Sequence, residues 1–274
     1  MACAARHNRY HLHHETFMKP QIGMLPSGID LSHSVENEYL CMKLAQAFGL
    51  PAANVSIADF KDTRVLVVER FDRLWTKDGR LLRLPQEDCC QALSVPPTRK
   101  NESDGGPGMP AVLDLLKASD DPDTDRRLFL KAQIMFWLLA ATDGHAKNFS
   151  IFLKPGGRFR LTPLYDVMSV QPAFDAGQLR KNHMKFAMAV GNNRHYPVYE
   201  ILPRHFTETA AKRGVPSSFV QSIFDELVGS ADAVINQVMR DLPAGFPQEL
   251  AESIVVGLRA RLRLVDVTDA RTAQ

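Results

Sequence analysis

The sequence is poor in cysteine and lacks the long apolar runs of membrane proteins. Its four cysteines, Cys3, Cys41, Cys89 and Cys90, form no Cys-x-x-Cys pair. Neither a disulfide framework nor a cysteine-based zinc site is therefore expected. No apolar run approaches the ~18–20 residues of a membrane-spanning helix, and the first residues lack the continuous apolar core of a signal peptide. We expect a soluble, cytoplasmic protein without a membrane partner.

Neither sign of charge is in large excess. The 33 basic and 31 acidic side chains leave a formal net charge of +2. This charge is too small to indicate binding to nucleic acid or membranes by itself, although local basic patches are compatible with it. With 45% apolar and 23% charged residues, the composition is that of an ordinary globular protein. Internal repeats and low-complexity tracts are also absent, and the length allows one large domain or two lobes.

The N-terminal part combines short strands with one amphipathic helix. Alternation of polar and apolar residues predicts a strand around Lys19. A helix is expected from Ser34, taken as its N-cap with two glutamates in the first turn, to Gly49. A buried strand is expected over residues 64–71, followed by a hairpin with Asp78-Gly79 at its turn.

Three histidines near the N-terminus, His11, His13 and His14, raise the question of a metal site. Alternate positions on a strand point two imidazoles the same way. No further ligands follow at a suggestive spacing, however, so zinc is not expected there.

The rest of the chain is expected to be mostly helical around one hairpin. Residues 84–110 are rich in proline, glycine and charge, which is typical of a long exposed loop. Helices are predicted over residues 110–117 and 125–140, and the second is apolar enough to be buried. Two short strands, residues 150–153 and 158–161, form a predicted hairpin. The 3.6-residue periodicity beyond it predicts a helical C-terminal block without strong strands.

A polar cluster directly follows an apolar run. The stretch ATDGHAKNFS contains Asp143, His145, Lys147 and Asn148. The predicted hairpin would return the chain, so Asp143 and Asp166 could face one site with Asn148 beside them. A carboxylate and an amide oxygen suit Mg²⁺, which prefers hard oxygen ligands. Asp143 would stay free to accept a hydrogen bond from an attacking hydroxyl.

This division of roles is the one that protein kinases use. Mg²⁺ and one lysine can neutralise much of the charge on a transferring phosphoryl group. Lys147 within the loop and Lys19 on the first strand are the candidate lysines. The alternative is a polar turn at a helix end without catalysis, in which His145 only donates a structural hydrogen bond. Cys89-Cys90 is expected to be a packed pair rather than a redox centre.

Several longer segments are similar to one known family. In family order, between roughly residues 15 and 265, the chain contains SVENEYLCMKLA, VERFDR, LLRLPQEDCCQALSVP, ESDGGPG, ATDGHAKNFS, LTPLYDVMS, KFAMAVG and LPRHF. In these segments it resembles the HipA family of bacterial toxin–antitoxin serine/threonine protein kinases. The resemblance implies an α+β, two-lobed protein-kinase-like fold. A reduced, β-containing N-lobe would occupy residues 1–72 and a mainly helical C-lobe residues 73–274.

The resemblance also implies ATP and Mg²⁺ as cofactors and a role for individual residues. Asp143 would be the catalytic base. Asn148 and Asp166 would hold Mg²⁺, and Lys19 would pair with the phosphates of ATP. The further nucleotide-binding residues would be Glu69, Arg70 and Phe71 at the interlobe hinge, and His145, Ala146, Lys147 and Tyr165, which complete the pocket with Asn148 and Asp166.

Three partners follow from the same resemblance. Family members phosphorylate themselves and a translation component, of which glutamyl-tRNA synthetase is the best known, and so cause growth arrest and persistence. They also bind HipB, a helix-turn-helix antitoxin that sits on operator DNA. Lys212 and Arg213 lie where the family places basic residues near the operator backbone, which fits a nonspecific phosphate contact.

One departure from the family concerns the N-terminus. Relatives carry, before the strand of Lys19, a further subdomain and a phosphate-binding loop with an autophosphorylated serine, and this sequence begins too late to include them. Residues 1–17 hold no glycine-rich segment that could cradle phosphates through backbone amides. We therefore expect reduced ATP affinity and an open edge on that strand. The alternatives are a misplaced start, a partner chain that supplies the missing part, and a remnant with weak or no phosphoryl transfer.

Two rival functions stay open. One is a catalytically silent protein that still binds an antitoxin or DNA. The other is a small-molecule kinase of similar architecture, which the QEDCCQ and ESDGGPG segments disfavour because they match the toxin family.

Overall fold

The computed structural model describes residues 15–272, with side chains for residues 15–265. The predicted histidine cluster, His11, His13 and His14, lies outside this part of the chain. The first sheet is antiparallel, with strand order β1 (Thr16–Pro20), β5 (Thr63–Glu69) and β4 (Val55–Phe60). Lys19 on β1 lies opposite Leu66 on β5, which is fully buried. The predicted strands around Lys19 and over residues 64–71 are therefore confirmed, within two residues at their ends.

Strand β4 was not among the predicted elements. It contains Ser56, Ala58 and Asp59, which are poor strand formers, and only Val55 is buried. Its six residues nevertheless pair with β5 along their whole length. The ladder to β5 therefore determines this strand, because its own sequence pattern does not.

Helix α1 (Ser34–Ala47) packs against β4 and β5. The prediction of Ser34 as its N-cap is wrong by one residue, since His33 occupies that position without a capping side-chain hydrogen bond. The Ser34 hydroxyl instead donates to Gln21 Oε1 at 3.1 Å and accepts from the Ile22 amide at 2.9 Å. This places the hydroxyl on the β1 side of the helix, so it joins the two elements rather than ending the helix. The helix stops before Gly49, as predicted.

Two small ribbons are separate from this sheet. β2 (Gly23–Met24) pairs with β3 (Asp30–Leu31), and β6 (Arg73–Trp75) pairs with β7 (Leu81–Arg83). The second ribbon has Asp78 and Gly79 in its turn, so the predicted hairpin is confirmed.

Residues 84–110 are not simply an exposed loop, and that prediction is wrong for their first part. β8 (Gln86–Asp88) and α2 (Cys89–Ala92) are regular, and α2 begins with a capping box between Asp88 and Gln91. Cys89 and Cys90 are buried free thiols, which confirms a packed pair. β8 forms the edge of a second antiparallel sheet, of order β10-β9-β8, in which β9 (Ser150–Lys154) and β10 (Arg158–Leu161) are the predicted hairpin.

The C-terminal half is mainly helical. It contains α3 (Met109–Leu116), α4 (Pro122–Leu139), α5 (Gln171–Asp175), α6 (Pro203–Ala211), α7 (Ser217–Arg240) and α8 (Gln248–Thr272). Helix α4 is the centre of this half, because Phe129, Phe136 and Trp137 are all buried. It begins three positions before the predicted start because Asp121 caps it, accepting from the Thr124 amide at 3.3 Å. Among residues 15–272, no helix is long and apolar enough to cross a membrane.

A hairpin within the C-terminal half corrects the prediction of a purely helical block. β11 (Lys185–Val190) pairs with β12 (His195–Pro197). Phe186 to Val190 are buried on both faces of β11, so the strand lacks the polar alternation that marks a half-exposed strand. Together the elements form an α+β fold with a sheet-rich N-terminal part and a mainly helical C-terminal part.

Candidate active site

Lys19 contacts two carboxylates that come from separate parts of the chain. Its Nζ lies 2.7 Å from Glu38 Oε1 on α1 and 2.6 Å from Asp166 Oδ1, in the segment after β10. Burial by itself would lower the pKa of Lys19, but the charges of Glu38 and Asp166 outweigh it and raise that pKa. The amine is therefore a permanent cation at neutral pH. Glu38 is nearly buried, and this burial raises its pKa in spite of the lysine.

A cavity of about 360 Å³ lies beside this contact. Residues 17–22 form one wall, and Ser34, Val35 and Glu38 of α1 form another. Leu66, Asp166 and Met168 complete the lining. Its volume is within the range of small-molecule sites, and a few convergent charges in a largely apolar lining are typical of such sites.

Asp166 has an unusual backbone conformation. Its φ is +60°, in the left-handed region that non-glycine residues seldom adopt. Such residues are frequent at functional sites, where the surrounding structure holds them. Here the adjacent Tyr165 is held in place by two hydrogen bonds. Its hydroxyl donates to the Lys147 carbonyl at 2.9 Å and contacts Ser150 Oγ at 2.6 Å.

The polar loop begins where α4 ends. Ala140 closes the helix with φ +51°, and a Cβ on Gly144 would overlap the Phe136 ring, so only glycine fits there. Asn148 Nδ2 donates to the Asp143 carbonyl at 2.8 Å, which holds the loop closed. Through the Tyr165 hydroxyl on Lys147, this loop is joined to the segment of Asp166.

The Asp143 carboxylate stands out from the loop with 68% of its side chain exposed. His145 Nε2 lies 3.3 Å and Lys100 Nζ 3.5 Å from its Oδ1. The surrounding protein would raise the pKa of Asp143, but the hydrogen bond and charge of His145 and the charge of Lys100 outweigh this and lower it. Both contacts are to Oδ1, so Oδ2 can accept a hydrogen bond from a bound hydroxyl.

The other predicted loop residues have different surroundings. His145 is nearly buried and faces Asp143, and Ala146 is fully buried in the core. Lys147 Nζ binds Asp88 Oδ2 at 2.7 Å, so its ammonium is engaged at the start of α2.

The predicted hinge residues lie at the end of β5. Glu69 Oε2 accepts from Asn54 Nδ2 at 2.9 Å, and Arg70 forms a two-pronged pair with Asp72. Phe71 contributes an aromatic surface instead. Its ring lies 5.7 Å from the Phe152 ring and 5.8 Å from the Tyr165 ring. This cluster packs the segment after β5 against the β9–β10 hairpin and the segment that follows it.

The carboxylate of Asp166 and the amide of Asn148 are of the chemical kind that fits Mg²⁺ bound together with a nucleotide. Among residues 15–265 no group of three or more His, Cys, Asp or Glu could hold a metal by itself. Mg²⁺ does not need such a cage, because it is commonly bound by one or two carboxylates with substrate phosphates and water. Asp166 offers a half-exposed carboxylate. Asn148 uses its amide nitrogen for the Asp143 carbonyl, so its amide oxygen is not engaged by that hydrogen bond.

The two residues predicted to approach DNA lie at the end of α6. Lys212 Nζ donates to the Gly191 carbonyl at 3.0 Å, and Arg213 forms an ion pair with Asp114. Their proximity to DNA stays a prediction.

Glu38, Lys100 and Asp88 were not assigned site roles from the sequence. In the sequence Glu38 is only one of the two glutamates expected in the first turn of the helix, although the polar run Glu36-Asn37-Glu38 on a largely buried helix is a usable signal. Lys100 and Asp88 carried no comparable signal, because their partners are far away in the chain.

Residues 4–235 match the family model of the HipA-like C-terminal domain. The chain belongs to this family. A relative in Sinorhizobium fredii, named "Putative kinase Y4mE", is 34% identical over 225 residues, which are 82% of this chain and 50% of the relative. The serine/threonine-protein kinase toxin HipA of Shewanella oneidensis is 33% identical over 150 residues, 50% of this chain and 34% of that protein. The chain thus spans half or less of these curated relatives.

Solved structures agree with the HipA-like assignment. HipA of Shewanella oneidensis, in its complex with HipB and operator DNA, superposes with a TM-score of 0.74 at 25% identity, covering 87% of this chain and 58% of that one. The Helicobacter pylori proinflammatory kinase CtkA gives a TM-score of 0.64 at 14% identity over 94% of this chain and 91% of that one, a likeness of fold alone. The expected α+β, two-lobed kinase-like fold is confirmed.

Proposed function

We propose that this HipA-like chain is a serine/threonine protein kinase that uses ATP and Mg²⁺ and acts as the toxin of a toxin–antitoxin pair. The observation that supports this most is the contact of Lys19 with both Glu38 and Asp166. A lysine on a strand paired with a glutamate on the following helix is the arrangement that active protein kinases require.

The remaining residues then take consistent roles. Asp143 Oδ2 accepts the proton of the attacking serine hydroxyl, and His145 orients the carboxylate through its contact with Oδ1. Lys19 binds nucleotide phosphates, and the apolar face of Phe71 lies where the hinge meets the base. Asn148 and Asp166 would hold Mg²⁺, which supplies charge neutralisation on the phosphates when bound.

The proposed partners follow from the family. HipA of Shewanella oneidensis is seen with HipB and operator DNA, and we extend a HipB-type antitoxin and its operator to this chain, with Lys212 and Arg213 near the DNA backbone. The proposed acceptor is a translation protein such as glutamyl-tRNA synthetase, besides the chain itself, with growth arrest and persistence as the result.

Phosphate incorporation from labelled ATP tests the kinase proposal. Wild type and Asp143→Asn would be compared, with Asp62→Asn in the β4–β5 turn as a matched surface control. Removing a general base costs about 10²–10⁴-fold in rate, so incorporation should fall by at least about 100-fold in Asp143→Asn alone. Equal phosphate incorporation by wild type and Asp143→Asn would refute the role of Asp143. Incorporation by neither would favour the catalytically silent binding protein.

Operator binding with purified antitoxin tests the DNA assignment separately. Replacing Lys212 and Arg213 by methionine should weaken the ternary complex about equally for operators of different sequence, and should reduce its salt dependence. An unchanged salt dependence would remove these residues from the DNA interface.

A further inference from the structure

Lys100 places an ammonium beside the candidate catalytic base. It lies between the 3₁₀ turns Pro97–Arg99 and Glu102–Asp104. Its Nζ is 3.5 Å from Asp143 Oδ1, and its side chain is 40% exposed. It therefore reaches the site from a segment well before the polar loop.

The segment of residues 97–108, here called the lysine loop, is held in one conformation. Glu102 Oε2 accepts from the Ala189 amide at 2.7 Å, and Glu102 Oε1 lies 3.2 Å from Arg194. The Gly106 amide donates to the Asn101 carbonyl at 2.9 Å. A Cβ on Gly106 would overlap the Arg99 carbonyl oxygen, so this position accepts only glycine. These contacts explain the ESDGGPG segment as the support of Lys100.

The two lysines considered from the sequence are more tightly engaged. Lys147 binds Asp88 at 2.7 Å, and Lys19 is 2.6–2.7 Å from its two carboxylates. The 3.5 Å contact of Lys100 is longer and more exposed. Its ammonium can therefore move to another anion at a smaller cost than either of the others.

The chemistry of phosphoryl transfer calls for a cation at this place. An acceptor hydroxyl bound to Asp143 must point at the phosphorus atom, so the transferred group lies within a few ångströms of the carboxylate. Negative charge on the transferred oxygens needs a fixed positive partner, since catalysis is largely positioning and electrostatic stabilisation.

We propose that Lys100 is a further catalytic residue, whose ammonium leaves Asp143 and binds an oxygen of the phosphoryl group in transfer. The acceptor O–H bond breaks and its proton goes to Asp143. The acceptor oxygen forms the new P–O bond, and the bond from the γ-phosphorus to the bridging oxygen breaks, leaving its electron pair on ADP. Lys100 takes no part in the proton transfer. This inference rests on the proposed kinase function.

The alternative is that the contact between Lys100 and Asp143 is an ordinary surface ion pair without a catalytic role. Exposed pairs of this kind contribute little to stability, and such a lysine could be replaced without effect on turnover. The two possibilities therefore differ in kinetics rather than in folding.

The test compares Lys100→Met and Lys100→Arg with Lys117→Met. Lys117 is a matched control, because it also pairs with an aspartate, Asp114, and its side chain is 47% exposed. The measurements are kcat for phosphate transfer, and the Kd of Mg²⁺–ADP by calorimetry. Losing one transition-state donor costs about 10²–10³-fold in kcat. We expect a fall of about 100-fold for Lys100→Met, partial recovery in Lys100→Arg, and an ADP Kd within about threefold of wild type.

Distinct outcomes separate this inference from the kinase proposal. Wild-type turnover in Lys100→Met would overturn the inference while the kinase proposal stands. A fall in kcat matched by an equal loss of ADP affinity and of thermal stability would also overturn it, because the role would then be structural. If the wild-type protein transfers no phosphate, both the kinase proposal and the role of Lys100 are refuted.

Discussion

The Lys19 ammonium lies 2.7 Å from the Glu38 carboxylate, whose side chain is only 8% exposed. This pair ties β1 to α1 across the cavity, and the second contact of Lys19 with Asp166 adds the segment after β10. Three parts of the chain that are distant in sequence thus converge on one cation.

Removing Lys19 should destabilise the protein more than neutralising Glu38 does. In Lys19→Met the Glu38 carboxylate would remain buried without a counter-charge, whereas in Glu38→Gln the lysine keeps Asp166. We expect Lys19→Met to lower the free energy of unfolding by about 2 kcal/mol. This is less than the ~3–5 kcal/mol lost when a fully buried ion pair is broken, because Lys19 is partly exposed. The double variant should regain part of this. Urea unfolding of the two single variants and the double variant measures these changes. If the unfolding free-energy changes of the single variants simply add up in the double variant, the two residues are not coupled.

Asp166→Asn should separate metal-dependent nucleotide binding from folding. Asparagine tolerates the left-handed conformation at this position, so stability should change little. Loss of the carboxylate should weaken ADP binding with Mg²⁺ by about 10–100-fold, while binding in EDTA stays the same. Calorimetric titrations of ADP with and without Mg²⁺ measure both affinities. Asp62→Asn serves as the control. If Mg²⁺ increases the ADP affinity of Asp166→Asn as much as that of wild type, Asp166 does not bind the metal.

Gly106→Ala should disturb the lysine loop. The new methyl group would overlap the Arg99 carbonyl oxygen, and such overpacking costs about 1–3 kcal/mol. We expect a lower melting temperature and a large loss of phosphate incorporation. Gly229→Ala is the matched control, since its Cβ meets nothing within 4 Å. It lies within α7 and should add about 0.5–1 kcal/mol to stability. Full activity in Gly106→Ala would show that the loop conformation does not matter.

Asp120 should contribute an acid-sensitive part of the stability. Hydrogen bonds from Arg158 and Lys154 lower its pKa from 3.8 to about 2. A carboxyl group with a lowered folded-state pKa stabilises the fold above its unfolded pKa, and this contribution is lost as the pH falls through the folded value. Asp120→Asn should therefore flatten the fall in urea midpoint between about pH 4 and pH 2, while Asp62→Asn keeps it. A wild-type slope in Asp120→Asn would contradict the assignment.

Much of the local structure could be predicted because it depends on local patterns. The β9–β10 hairpin follows from two β-rich runs around Pro155-Gly156-Gly157, and α4 from its periodic apolar residues. β4 and β11 were missed for opposite reasons. In β4 the alternation that begins with Val55 and Ile57 is broken by Ala58-Asp59, and β11 is buried on both faces, so neither has the sustained alternation that marks a strand.

The sequence by itself determined the family, the longer helices and the residue types of the polar loop, because these depend on neighbouring positions. Only the tertiary structure decided which charges meet. Lys19 and Asp166 are 147 positions apart, and Lys147 faces Asp88 while Lys100 takes the place at Asp143. Such pairings arise from how sheets and helices pack, and a local pattern carries no information about a partner brought near by the fold.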